Sequence, residues 1–161
     1  MNDDPITLEP SQAPSSGNGV GELKRRAGAE FQAAMKLHGA ERLLDAVDAY
    51  NRVLTIDPTH SGALNNLGVA LRRLNRFAEA VACYRRALDL DPRNHQALSN
   101  LGNALKDLHR LDEAIAALKR ADAVRPNDPG IIYNLGIAQK DAGLLDDALA
   151  NYDRALKLRP R

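Results

Sequence analysis

Four histidines, one cysteine and several adjacent carboxylates are the side chains of this 161-residue chain that could make or break bonds. His38, His60, His95 and His109 show no ligand spacing, and none has the helical partner that a zinc site needs. Cys83 stands beside Tyr84 in an apolar series, where a thiol packs as a small inert hydrophobe rather than acting as a nucleophile. As the single cysteine, it excludes an intrachain disulfide and any cysteine-based zinc motif. Pairs such as Asp112-Glu113 fall at polar helix starts rather than in an apolar cleft. These residues therefore predict no catalytic group, no metal and no cofactor, and a protein that is not an enzyme. What recurs instead is an amide. Asn66, Asn100 and Asn134 are spaced 34 apart, and each can donate and accept hydrogen bonds at once.

The elements that position them repeat with the same period. Pro58, Pro92, Pro126 and Pro160 are 34 apart, as are Ala46, Ala80, Ala114 and Ala148. Tyr50, Tyr84, Leu118 and Tyr152 hold a large side chain in register. A fixed period across that many columns marks a tandem repeat. Each unit reads as two helices. Leu64, Leu67, Leu71 and Leu74 lie on one helical face, and Leu98, Leu101, Leu105 and Leu108 repeat them. Asn75, His109 or Gly143 then closes the first helix with a residue that tolerates the left-handed conformation. A second apolar series, such as Phe77, Val81, Tyr84 and Leu88, runs to the proline that ends it. Asp128-Pro129 reads as an N-cap followed by proline at the first helical position. The second helices start acidic and end basic, which complements the helix dipole.

Gly68, Gly102 and Gly136 lie inside helices, where each costs about 1 kcal/mol relative to alanine. The expectation is that they face Ala80, Ala114 and Ala148 and let two backbones approach. No strand or phosphate-binding glycine cluster accompanies them.

Composition narrows the function further. The chain has 44% hydrophobic residues but only 4% aromatics, as close-packed helices rich in Ala and Leu would give. A net charge of +1 argues against nucleic acid as a partner. No signal segment or membrane-spanning stretch is seen, so no membrane partner and a cytoplasmic location are expected. Residues 1–21 are rich in Pro, Ser and Gly, carry a charge of −3, and read as a flexible tail ahead of a domain at 22–161 whose charge is +4.

These columns resemble the tetratricopeptide repeat (TPR) family. Leu67-Gly68, Phe77, Ala80, Tyr84, Ala87 and Pro92 carry the resemblance best, and the repeats fall at 27–60, 61–94, 95–128 and 129–161. The first is the least regular, with Ala34 in the glycine column and Gly39-Ala40-Glu41 at its turn. The tryptophan often found early in the repeat is replaced by Glu30, Leu64, Leu98 and Ile132. The resemblance implies an all-α fold: antiparallel helix pairs stacked into a right-handed superhelix, or α-solenoid, with the first helices lining the concave face. It places Gln32, Asn65, Asn66, Asn100, Asn103, Tyr133 and Asn134 on that face, with Arg72, Lys106 and Lys140 as a basic column farther along. The asparagines resemble the ladder of the repeat region in O-linked N-acetylglucosamine transferases, which implies capture of an extended peptide by its backbone. The carboxylate clamp of chaperone-binding relatives is not matched. Phe31, Met35, Asn65, Val69, Gln96 and Gly130 stand where it needs basic residues or asparagine.

The resulting expectation is a protein–protein interaction module that works as a scaffold or adaptor and binds a peptide or partner segment in its groove. One alternative is the recognition part of a larger enzyme, such as a glycosyltransferase, cut at Arg161. Another is homo-oligomer formation, because the chain stops straight after the closing proline and leaves Leu145, Leu149, Tyr152 and Leu156 without a cap of their own.

Overall fold

A computed structural model describes residues 16–158, with side chains from residue 19 onward. Eight α-helices follow one another: α1 (Ser16–Gly39), α2 (Leu43–Ile56), α3 (Ser61–Arg73), α4 (Phe77–Leu90), α5 (His95–Asp107), α6 (Leu111–Val124), α7 (Pro129–Asp141) and α8 (Leu145–Leu158). No strand occurs among the described residues. The starts of α2, α4, α6 and α8 are 34 residues apart, as are those of α3, α5 and α7. None of the described helices is long and apolar enough to cross a membrane.

The helix boundaries have local causes. Each first helix ends on a residue with positive φ: Glu41 (61°), Asn75 (60°), His109 (58°) and Gly143 (79°). At that point Arg42, Arg76, Arg110 and Leu144 donate their backbone N–H to the carbonyls of Leu37, Leu71, Leu105 and Gln139 at 2.9–3.0 Å. This closing bond is the Schellman arrangement, and it satisfies carbonyls that the helix end would otherwise orphan. The irregular first turn thus adopts the geometry of the others, with Glu41 in the strained position. The next helix starts two residues later, so the pair is antiparallel.

The following first helices are capped by side chains. His60 Nδ1 accepts from Ala63 N (3.1 Å) and Asn94 Oδ1 from Ala97 N (3.0 Å). Asp128 Oδ1 accepts from Gly130 N (2.9 Å) and Ile131 N (3.3 Å), with Pro129 in the first turn as expected.

One boundary differs from expectation. Helix α1 begins at Ser16, so residues 16–21 continue a helix although the sequence reads as tail up to 21. Extending an existing helix costs far less than nucleating one, so weak formers such as Gly19 and Gly21 can join it. Residues 1–15 lie outside the described part, as do residues 159–161, with the last proline of the series, Pro160.

Packing follows the pairs. Each helix packs on its sequence neighbours, and α1, α3, α5 and α7 also touch one another, whereas the even-numbered helices do not. The odd-numbered helices therefore line the inner face of the stack. The core is a row of interfaces built from Ala46, Tyr50, Ala80, Tyr84, Ala114 and Leu118, all fully buried.

The nearest contact at each of these glycines is a large side chain of the paired helix rather than the expected alanine. A β-carbon on Gly68 would lie 2.5 Å from Tyr84 Cε1, one on Gly102 2.5 Å from Leu118 Cγ, and one on Gly136 2.7 Å from Tyr152 Cε1. They make room for the large side chain sixteen residues on. The Ala148 carbonyl also comes near, 3.3 Å from such a carbon on Gly136.

Candidate functional site: the concave groove

Short amide side chains on successive first helices converge because those helices share one face of the stack. Asn65 and Asn66 (α3), Asn100 (α5) and Asn134 (α7) line a cleft of about 430 Å³. Asn100 Nδ2 donates to Asn65 Oδ1 at 3.0 Å and so ties two repeats together. That bond uses one donor of Asn100 and one acceptor of Asn65, and an amide group has further donors and acceptors. All four asparagines are half-buried. Their polar atoms are therefore neither lost in the core nor diluted in open solvent.

Four lining residues receive no groove role from the sequence: His95, Gln96, Arg125 and Asp128 complete the wall around the α5 and α7 starts, beside Ser99 of α5. Arg125 lies 2.9 Å from His95 Nε2 and forms an ion pair with Asp128 at 3.3 Å. The available signal was positional: His95 and Asp128 stand at the first-helix starts, which this stacking turns toward the groove.

The remaining expected residues separate from this cleft. Gln32 is exposed on α1, one repeat away. Asn103 is half-buried on α5 and does not line the cleft. Arg72 Nε donates to Asp107 Oδ2 across the repeat boundary at 2.6 Å, and Lys106 Nζ lies 3.5 Å from the same carboxylate. Lys140 is exposed, 3.7 Å from Asp141. The basic column is thus largely neutralised by its own aspartates. Tyr133 does not join the asparagines. It lies on the terminal face, its ring centre 5.6 Å from that of Tyr152.

The chemically reactive side chains have structural surroundings. Cys83 is buried, and burial pushes its thiol up, away from the thiolate that nucleophilic attack requires. His60 caps α3, and His109 occupies the turn. His38 Nδ1 lies 3.3 Å from the Tyr50 hydroxyl, and its pKa is lowered by burial and by the Arg73 charge. Burial also raises the Tyr50 phenol, against an opposing pull from Asn66. Among the described residues no cluster of His, Cys, Asp or Glu is arranged to hold a metal ion.

Comparison with known proteins agrees with this architecture. Residues 65–130 and 129–161 match family descriptions that both read tetratricopeptide repeat. Among solved structures, a crystal structure of MamA superposes with a TM-score of 0.78 at 20% identity, covering 88% of this chain and 83% of that one. MamA residues 41 to the end from Desulfovibrio magneticus RS-1 give 0.78 at 19% identity, over 88% and 84%. The first TPR of Spaghetti (RPAP3), bound to the HSP90 peptide SRMEEVD, gives 0.72 at 24% identity, over 74% and 94%. No curated protein matches the chain by sequence.

Proposed function

The chain belongs to the tetratricopeptide repeat family, and from that premise we propose that it captures an extended segment of a partner protein in the concave groove. Repeats of this family present surfaces for protein–protein interaction, and one structural neighbour is bound to a peptide. The observation that carries the reading is the convergence of Asn65, Asn66, Asn100 and Asn134 on one half-buried cleft. Amides spaced along a groove match the alternating N–H and C=O groups of an extended backbone, so recognition rests on the main chain and tolerates varied sequence.

The energetics suit reversible capture. At about 0.5–1.5 kcal/mol net per hydrogen bond, a handful of bonds offsets association costs of similar size and leaves affinity near the micromolar range. With Arg72 and Lys106 engaged by Asp107, the groove has little to select an acidic ligand. An acidic peptide like the one held by the RPAP3 domain is accordingly not the expected occupant.

The test is capture of unstructured peptides from a random display library, followed by fluorescence anisotropy on the hits. Changing Asn66, Asn100 and Asn134 together to Ala should weaken binding at least tenfold, about 1.4 kcal/mol, with helicity near normal. Unchanged affinity in the triple variant would move the binding surface elsewhere.

A further inference from the structure

The two ends of the stack differ in a way that selects how copies of this chain can meet. On α8, Leu145, Leu149 and Leu156 are exposed along one face, with Tyr152 between them half-buried. Leu149 is 62% exposed, while its counterparts Val47, Val81 and Ile115 are 5%, 4% and 8% exposed under the helix that follows them. Beside Tyr152 and Leu156 an apolar cleft of about 360 Å³ opens, walled also by Pro129, Tyr133 and Ala155.

The opposite end does not complement this face. On α1, Ala29, Ala33 and Lys36 are exposed where internal repeats bury Ala63, Leu67 and Ala70. Stacking head to tail would bury the Lys36 ammonium without a partner, at a cost of several kcal/mol. It would also set Ala33 where a leucine fills the interface. Glu30, which stands where Leu64, Leu98 and Ile132 are fully buried, is drawn to Arg52 at 3.2 Å. The α1 face thus offers the α8 face no complement.

We propose that two copies pair through α8, antiparallel across a two-fold axis, and form a closed dimer. The spacings 145, 149, 152 and 156 read the same in either direction. An antiparallel register therefore sets Leu145 against Leu156 of the second copy and Leu149 against Tyr152 of the second copy. It delivers the second copy's Leu145 to the apolar cleft. Charge selects the direction. Asp146 and Asp147 at the start of α8 and Lys157 at its end have no ion-pair partner among the described residues. Antiparallel pairing brings the acidic start of one α8 to the basic end of the other, whereas a parallel pair would oppose like charges. A two-fold contact uses the same patch on both copies and closes on itself, so no filament grows.

Sedimentation velocity across a micromolar concentration series tests this, and its outcome is independent of peptide capture in the groove. The expected result is a monomer–dimer equilibrium with nothing larger. Leu149→Glu should abolish the dimer and keep the helical circular dichroism signal. Asp146→Lys and Lys157→Asp, which flank the same side of this face, should each weaken the dimer about tenfold, and the two together should restore it. A monomer at every concentration, species that grow beyond two copies, or failure of the combined charge exchange to restore pairing would each overturn the proposal. So would a dimer that forms only after residues 1–15 are removed, since that would mean this segment covers the face.

Discussion

Gly68, Gly102 and Gly136 stand where a β-carbon would strike Tyr84, Leu118 or Tyr152 inside the helix pair. Gly68→Ala gains about 1 kcal/mol of helix propensity and loses about 1–3 kcal/mol to overpacking against a fully buried ring. Net destabilisation of up to about 2 kcal/mol is expected in urea unfolding. Gly28→Ala, with open space at its β-carbon, should instead stabilise by about 0.5–1 kcal/mol. Equal effects at both positions would refute the packing account. Both the glycine column and the aromatic column were legible as repeats. Which column faces which was not, because that depends on the crossing of two helices rather than on spacing within one. The Tyr84 hydroxyl has a similar origin: it is buried, with no hydrogen-bond partner among the described residues. Its counterpart on Tyr50 approaches His38. A period alone cannot distinguish those two surroundings.

Among the elements, the first helices of the later repeats share an N-terminal device, a side chain that accepts from the opening amides, supplied in turn by His60, Asn94 and Asp128. Asp128 accepts two such bonds, and its charge also suits the positive end of the helix dipole. Asp128→Ala should therefore cost about 1–2 kcal/mol, read as a lower denaturation midpoint, while Asp128→Asn should recover most of it. Asp128 as a cap could be read from Asp-Pro, whereas His60 could not, because imidazole capping carries no sequence signature. Glu41 was equally opaque. Glutamate seldom takes positive φ, and only the closing bond from Arg42 to Leu37 requires it there. The sequence assigns Tyr133 to the groove because its helix lines the groove, yet its ring packs beside Tyr152, whereas Asn65, its counterpart two repeats earlier, lines the cleft and meets Asn100.

As a whole, the molecule is a chain of nearest-neighbour interfaces with no central core, so stability is a sum of local terms. Helices α3 to α6 are flanked on both sides along the stack, whereas α8 is covered on one side only. Hydrogen exchange on the monomeric Leu149→Glu variant should accordingly show the slowest amides in α3–α6 and the fastest helical ones in α8. Uniform protection across all eight helices would mean that the array unfolds as one cooperative unit instead.

The four turns between paired helices close with the same backbone bond at nearly the same length. Such a joint works as a standard coupling, and it sets the grain at which the gene can change. Duplicating or deleting 34 codons re-forms every coupling and only lengthens or shortens the groove by one rung. Losing one codon inside a helix rotates everything beyond it by about 100° and breaks the alignment of the asparagines. Variation in length should therefore come in whole repeats, with the amide ladder growing or shrinking in step.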